Sequence, residues 1–234
     1  RSKIMNNGLT GKQFVVTGGT GFLGTAVVEQ LLKAGAICCV SWIIEKERDR
    51  FKHADHVQLV RVDCCDQQQV DDLYGNLDEL WGAIHVVGGF EMARLADTDA
   101  KAMRRMFELN TMSCFLCSRA AVAAMRQAGK GGRIVNVAAR PAVSPAGGMV
   151  AYSTAKAAVG ALTQALAEEV KRDNILVNAV MPSIMDTQAN RQAMPAGEFE
   201  SWPKVDQVAR TMVYLASPDN ELTSGALVPV FGRA

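Results

Sequence analysis

Short apolar runs alternate with longer segments of helical periodicity along most of the 234 residues. Helical periodicity marks four segments, 22–34, 98–127, 150–172 and 205–216. Alternating β and α units form a parallel sheet covered by helices, so the sequence predicts a single-domain α/β fold, a Rossmann-type doubly wound parallel sheet with helices on both faces. Seven apolar runs predict its strands: 13–17, 36–41, 57–62, 83–87, 133–137, 175–180 and 226–230.

No repeat, low-complexity tract or Pro/Gly-rich linker divides this pattern. We therefore expect one domain over residues 11–234, preceded by an N-terminal extension at 1–10. The irregular segment 182–203 is longer than an ordinary connection, and such segments are often lids. We therefore expect this segment to contact the substrate, and its residues Met194, Phe199 and Trp202 suggest an apolar lid.

Charge and cysteine usage exclude several classes of function. The 25 Lys and Arg residues nearly balance 24 Asp and Glu residues, so the chain lacks the basic surface of a nucleic-acid or anionic-membrane binder. It has no apolar signal-peptide core and no run of about 20 apolar residues, so we expect no membrane segment and a cytoplasmic location. The six cysteines lack disulfide or metal-site spacing, and we expect reduced, mostly buried thiols and no metal.

A glycine-rich turn joins the first predicted strand to the first predicted helix. It reads Thr-Gly-Gly-Thr-Gly-Phe-Leu-Gly over residues 17–24. Glycines at such a junction let the backbone approach a pyrophosphate, whose charge is stabilised by free N–H groups at the helix N-terminus. The alternative is a glycine-rich turn with no ligand. The turn predicts a dinucleotide site formed by Gly18, Thr20, Gly21, Phe22, Leu23 and Gly24.

Two ionisable side chains lie one helical turn apart in the predicted helix 150–172. Tyr152 and Lys156 are at positions i and i+4, so they project from the same face. A phenol is a poor acid or base near pH 7 unless its ionised form is stabilised, which a neighbouring ammonium does. We interpret the pair as a proton-transfer unit; the alternative is a half-buried tyrosine on an amphipathic helix.

Together these motifs resemble the short-chain dehydrogenase/reductase superfamily. The run 152–156 is similar to its Tyr-x-x-x-Lys signature, Asn110 occupies the position of its structural asparagine, and 178–182 is similar to the end of its sixth strand. The resemblance implies an NAD(P)-dependent oxidoreductase that transfers a hydride between the nicotinamide and a small carbonyl, alcohol or conjugated imine substrate. It implies that Tyr152 is the general acid/base, that Lys156 lowers its pKa and binds the nicotinamide ribose, and that Asn110 holds a relay water.

The same resemblance implies further contacts with the cofactor, NAD or NADP. Asp63 is similar to the aspartate that contacts the adenine, and Thr187 to the threonine that bonds the carboxamide or a phosphate. The backbone of Met185 would contact the carboxamide, while Gly88 and Gly89 let the cofactor approach the fourth strand.

The residue that discriminates between NAD and NADP is atypical. Where NAD-preferring relatives carry an acidic residue at the end of the second strand, this chain has Trp42, which can stack but cannot accept bonds from ribose hydroxyls. We interpret Glu45 as the N-terminal carboxylate of the next helix. Lys46 and Arg48 either meet a 2′-phosphate or form a solvated helix face. The preference stays open.

The catalytic serine of the family has no counterpart at its usual place. Ala139 stands there and cannot donate a hydrogen bond, so the substrate is polarised by Tyr152 alone or by another group, with Ser144 as a candidate substitute. His85, in the fourth predicted strand, is interpreted as a core histidine, and Asp66 as a helix N-cap.

The glycine turn, Ala139, the segment 148–152 and the lid segment 186–202 are similar to the dihydropteridine reductase branch of the superfamily, whereas Trp42 departs from it. One alternative function is therefore reduction of a quinonoid dihydropterin. A second is a dinucleotide-binding sensor without turnover. The resemblance also implies a homodimer or homotetramer formed through the helices 98–127 and 150–172.

Overall fold

Seven parallel strands form one sheet in the order β3-β2-β1-β4-β5-β6-β7. The structure is a computed structural model that describes residues 8–233. Strand order reverses between β1 and β4, which opens a crevice at the carboxyl ends of these strands. The strands are β1 (Gln13–Thr17), β2 (Ile37–Trp42), β3 (Gln58–Arg61), β4 (Leu80–His85), β5 (Gly132–Val137), β6 (Ile175–Pro182) and β7 (Leu227–Val230).

Helices cover both faces of this sheet. Side chains alternate along β1, where Phe14 and Val16 pack into one core cluster and Val15 into another, and all three are fully buried. This arrangement confirms the predicted doubly wound α/β fold. The helices are α1 (Phe22–Lys33), α2 (Glu45–Arg50), α3 (Gln67–Gly75), α4 (Ala100–Phe107), α5 (Ser113–Ala128), α6 (Val150–Glu169), α7 (Gln188–Ala193) and α8 (Val205–Leu215).

The predicted helix 98–127 is interrupted. It begins after Asp99, whose side chain accepts the Ala102 N–H at 2.7 Å, and one π-helical turn, Glu108–Met112, separates α4 from α5. Other boundaries shift less. The helix predicted over 150–172 ends at Glu169, and the strand predicted over 83–87 lies at Leu80–His85.

Residues 8–10 of the predicted N-terminal extension belong to the folded body. Leu9 is fully buried in the core, so the folded body includes it. Residues 1–7 lie outside the described residues. Asp66 is the N-cap of α3, as predicted, because its side chain accepts the Gln69 N–H at 3.1 Å.

The predicted lid 182–203 contains α7 and is held by an ion network. Asp186 accepts hydrogen bonds from Arg191 Nε and Lys204 Nζ, both at 2.6 Å, and these cations hold the pKa of its carboxyl well below the usual range. Trp202 is buried inside this segment and packs edge to face against Phe199. The segment 182–203 is therefore folded and held by contacts of its own side chains.

All six cysteines are free thiols, and all but Cys65 are buried, as predicted. Within residues 8–233, no group of three or more His, Cys, Asp or Glu side chains is placed to hold a metal ion. No helix in that range is both long and apolar enough to cross a membrane.

Candidate active site

A cavity of about 610 Å³ opens at the carboxyl ends of the strands, where the strand order reverses. Its walls come from the glycine turn, the ends of β2, β4, β5 and β6, helix α6 and the lid. Segments far apart in sequence thus meet at one site. Every predicted site residue except Gly24 lines it: Gly18, Thr20, Gly21, Phe22, Leu23, Trp42, Asp63, Gly88, Gly89, Asn110, Tyr152, Lys156, Met185 and Thr187.

Gly24 supports the turn from behind. A Cβ atom at this position would lie 2.3 Å from the Gly18 carbonyl oxygen and 2.5 Å from the Gly19 Cα, so only glycine lets α1 pack this closely on the turn. Gly18 itself adopts a left-handed conformation with φ of 64°. Its N–H donates to Ser41 Oγ at 3.2 Å, which ties the turn to β2. Gly24 is therefore a packing residue that does not line the cavity, and its predicted contact with the cofactor stays a prediction.

Thr20 shows that the turn suits a polar ligand. Its side chain is only 4% exposed and lines the cavity, and its Oγ1 has no hydrogen-bond partner in the described part of the chain. Buried hydroxyls are rarely left without a partner, so this atom is placed for a ligand. It lies in the turn before the N-terminus of α1, where the helix dipole favours anions. The turn therefore fits the pyrophosphate of a dinucleotide.

Lys156 is almost completely buried on α6. Its Nζ donates to the Val137 carbonyl oxygen at 2.8 Å, and burial lowers its pKa from 10.5 to about 8. The same Nζ lies 3.1 Å from the position that a Cβ of Gly88 would take. An ammonium has three N–H groups, so two remain for a ligand in the cavity.

Tyr152 lies one helical turn before Lys156 and lines the same cavity. Its ring packs edge to face against Phe90, with ring centroids 5.0 Å apart. Burial raises the pKa of its phenol to about 12. The structure therefore does not show the lowered Tyr152 pKa that the resemblance implied, because burial dominates.

Asn110 lies in the π-helical turn and clamps the backbone after β4. Its Nδ2 donates to the carbonyl oxygens of Gly89 and Met106 at 3.0 and 2.9 Å, and its Oδ1 accepts the Gly89 N–H at 3.2 Å. Both amide hydrogens are thus used within the protein. Of the Asn110 side chain, only Oδ1 has capacity left for the predicted relay water, and the side-chain contacts shown are those of a residue that positions Gly89.

The remaining predicted contacts lie at the two ends of the cavity. Asp63 accepts the Cys65 N–H through Oδ1 at 2.9 Å. Thr187 caps α7 by accepting the Asn190 N–H at 3.1 Å, and the Met185 carbonyl accepts from Asn190 Nδ2 at 2.8 Å. These bonds fix the lid residues at the cavity wall.

Ser144, the candidate substitute for the family's catalytic serine, lies away from the cavity. Ala139 is buried and lines the cavity, whereas Ser144 is exposed and does not. His85 is a core histidine, as interpreted. Its ring nitrogens pair with Tyr74 and Asn136, both at 2.9 Å, and burial lowers its pKa to about 4.

Some lining residues were not predicted. They include Ser41, which holds the glycine turn, Glu47 on α2 and Phe90 beside Tyr152. Ser41 immediately precedes Trp42, so its place at the strand end was the available signal. Within the segment 182–203, the predicted cofactor contacts Met185 and Thr187 line the cavity together with Pro182, Ser183, Ala189 and Asn190, whereas Met194, Phe199 and Trp202 do not.

The glycine turn, the strand reversal and the shared cavity define a dinucleotide-binding α/β protein. The family model described as short chain dehydrogenase matches residues 12–197, and the chain belongs to this family. It is therefore an oxidoreductase of the short-chain dehydrogenase/reductase type, and NAD or NADP is its cofactor, as predicted.

Individual relatives match almost the whole chain. A short-chain type dehydrogenase/reductase of Picea abies is 27% identical, with 96% of this chain and 92% of the relative aligned. The 2,3-dihydroxy-2,3-dihydro-p-cumate dehydrogenase of Pseudomonas putida is 28% identical over 96% of this chain and 94% of its own. The solved structure of ElxO with NADP bound shares the fold, with a TM-score of 0.86, 22% identity and coverage of 95% and 98% of the two chains.

Proposed function

We propose that this protein transfers a hydride between NAD or NADP and a small carbonyl, alcohol or conjugated imine, with Tyr152 moving the proton. One observation supports this proposal most strongly: Tyr152 and Lys156 line the same cavity as the glycine turn, in which the Thr20 hydroxyl has no hydrogen-bond partner among the described residues. The bound cofactor would supply or accept the hydride at its nicotinamide ring. The groups described below hold the substrate and move the proton.

Tyr152 is placed to act first as an acid. With a pKa of about 12, its phenol is neutral near pH 7 and can donate its proton to a substrate oxygen or nitrogen. The Lys156 ammonium lines the same cavity and is mostly protonated at pH 7 because its pKa is about 8, so it can attract the phenolate that remains. The arrangement therefore favours reduction near neutral pH.

The cavity also has apolar walls. Phe90, Leu109, Ala139, Pro182 and Met185 line it around Tyr152. Such walls exclude water, which strengthens the hydrogen bond from the phenol.

We propose that no serine assists Tyr152. The cavity wall has Ala139 where a hydroxyl would help polarise a carbonyl, and Ser144 is exposed elsewhere. Ser183 also lines the cavity, but its hydroxyl donates to the Phe231 carbonyl oxygen at 2.7 Å. A conjugated, electron-poor ring needs less polarisation than a simple ketone. A quinonoid dihydropterin is therefore one candidate substrate. A cyclic diol, of the kind named for the Pseudomonas relative, is another.

The test compares Tyr152→Phe with Tyr214→Phe, since Tyr214 is an exposed tyrosine away from the cavity. Both variants and the wild type are assayed with NADH and NADPH on ketones, a quinonoid dihydropterin and, with the oxidised cofactors, a cyclic diol. We expect Tyr152→Phe to lower kcat/KM by about 10²–10⁴-fold while the cofactor Kd changes by less than about twofold. Tyr214→Phe should match the wild type. Cofactor binding without turnover in all three proteins would instead favour the sensor alternative.

We also propose a homodimer or homotetramer in the cytoplasm. Ala157 and Ala161 are exposed on α6, and Met112 and Phe115 are partly exposed where α5 begins, so these faces suit close helix packing. Gly160, by contrast, faces Leu227 inside the protein. Light scattering on the purified protein measures the oligomeric state.

A further inference from the structure

Glu47 places a carboxylate in the wall of the cavity beside the end of β2. We call this region the β2 end; Gly21, Phe22, Trp42 and Ile44 also line it. Among the six residues of α2 it alone is half-buried, while the other five are exposed. Its carboxylate oxygens lie 3.7 and 3.9 Å from the position that a Cβ of Gly21 would take. The carboxylate thus faces the glycine turn.

The charges around this end are unbalanced. Within residues 8–233, the charged side chains that line the cavity are Glu47, Asp63 and Lys156. Lys156 lies at the opposite end, beside Val137 and Gly88. The β2 end therefore has two carboxylates and no cation in its lining.

Two arginines lie near this end, over the aromatic rings of two of its lining residues. The Arg48 guanidinium lies 5.6 Å from the centre of the Trp42 ring and pairs with Asp49 at 3.2 Å. Arg50 lies 5.0 Å from the centre of the Phe22 ring and donates to a backbone carbonyl of α2. Neither side chain lines the cavity.

We infer that Glu47 makes this site select NAD over NADP, an inference that rests on the proposed function. The carboxylate can accept hydrogen bonds from the hydroxyls of a ribose, the role that Trp42 cannot fill. A 2′-phosphate has a charge of about −1.5 to −2 and would meet Glu47 instead of a cation. Selection therefore combines an attractive contact with NAD and a repulsive one with NADP.

The test measures cofactor binding, which needs no substrate. Isothermal titration calorimetry gives the Kd of NAD⁺ and of NADP⁺ for the wild type, Glu47→Gln and Glu45→Gln. Glu45 is the matched control, because the change removes the same charge from the same helix at an exposed residue that does not line the cavity.

We expect the wild type to bind NAD⁺ at least about tenfold more tightly than NADP⁺, the effect of one charge-assisted contact. Glu47→Gln should shrink this ratio by about fivefold or more, mainly through tighter NADP⁺ binding, and Glu45→Gln by less than about twofold. Added salt should lower the NAD⁺ preference of the wild type and leave the ratio of Glu47→Gln nearly constant, since salt screens charge repulsion.

Each other result is decisive. Tighter binding of NADP⁺ by the wild type overturns the inference and leaves the proposed function intact. Equal effects of Glu47→Gln and Glu45→Gln overturn the role of Glu47. Failure of the wild type to bind either dinucleotide overturns the proposed function itself.

Discussion

Lys156→Met should make the protein more stable while it abolishes activity. Burial lowers the pKa of Lys156 from 10.5 to about 8, so the charged form is disfavoured in the folded state. At pH 7 this difference of about 2.5 pKa units corresponds to about 3 kcal/mol of lost stability. Methionine fills similar space without charge but leaves the Val137 carbonyl without its bond, which costs about 1 kcal/mol. The net gain is therefore about 2 kcal/mol, or about 4–8 °C in Tm.

The pH dependence identifies the cause. Because the folded pKa of this base lies below its unfolded value, the wild type gains stability as pH rises from about 8 towards 10.5. Between pH 7 and pH 9.5 it should recover about 2 kcal/mol, and the advantage of Lys156→Met should shrink to a few tenths of a kcal/mol.

Urea unfolding at pH 7.0, 8.0, 9.0 and 9.5 measures this difference. Lys101→Met is the control, because Lys101 is exposed on α4 and its replacement should change stability by no more than about 0.5 kcal/mol at every pH. A Lys156→Met protein less stable than the wild type at pH 7, or an advantage that does not vary with pH, would refute the reasoning.

Two further predictions concern the glycine turn and the core. Gly24→Ala should cost about 1–3 kcal/mol of unfolding free energy and weaken dinucleotide binding, because its Cβ would overlap the Gly18 backbone. Gly75→Ala is the control: nothing lies within 4 Å of the added Cβ, so this change should be neutral or slightly stabilising. Urea unfolding compares the two variants. His85, with a folded pKa of about 4 against 6.5, should cost the protein about 2 kcal/mol of stability as pH falls from 7 to 5. His85→Gln should flatten this dependence and exposed His56→Gln should keep it; unchanged slopes in both would contradict the burial argument.

Local features of the site were predictable from sequence. The glycine turn depends on residues adjacent in the chain, and Tyr152 and Lys156 share a helix face because of a four-residue spacing. The π-helical turn at Asn110 was not predictable in this way. It forms where the helix packs on α6, with Thr111 Oγ1 donating to the Ala155 carbonyl at 3.0 Å. Only packing between distant segments determines that interruption.

The lid illustrates the same limit. Its length and irregular composition predicted a segment that contacts the substrate, and its apolar residues suggested an apolar lid. In the structure Trp202 instead packs inside the lid against Phe199, because an apolar side chain is stabilised wherever it is buried. Apolar character predicts burial and does not specify the partner.

The sequence by itself determined the alternation of strands and helices, the glycine turn and the Tyr-Lys pair, since these depend on neighbours within one or two turns of chain. Tertiary structure decided the chemistry of those groups. Burial sets the pKa of Tyr152 near 12 and that of Lys156 near 8, and packing turns Glu47 into the cavity while its neighbours stay exposed. Such properties depend on how much water and charge surround a side chain, and the surroundings come from segments that only the folded chain brings together.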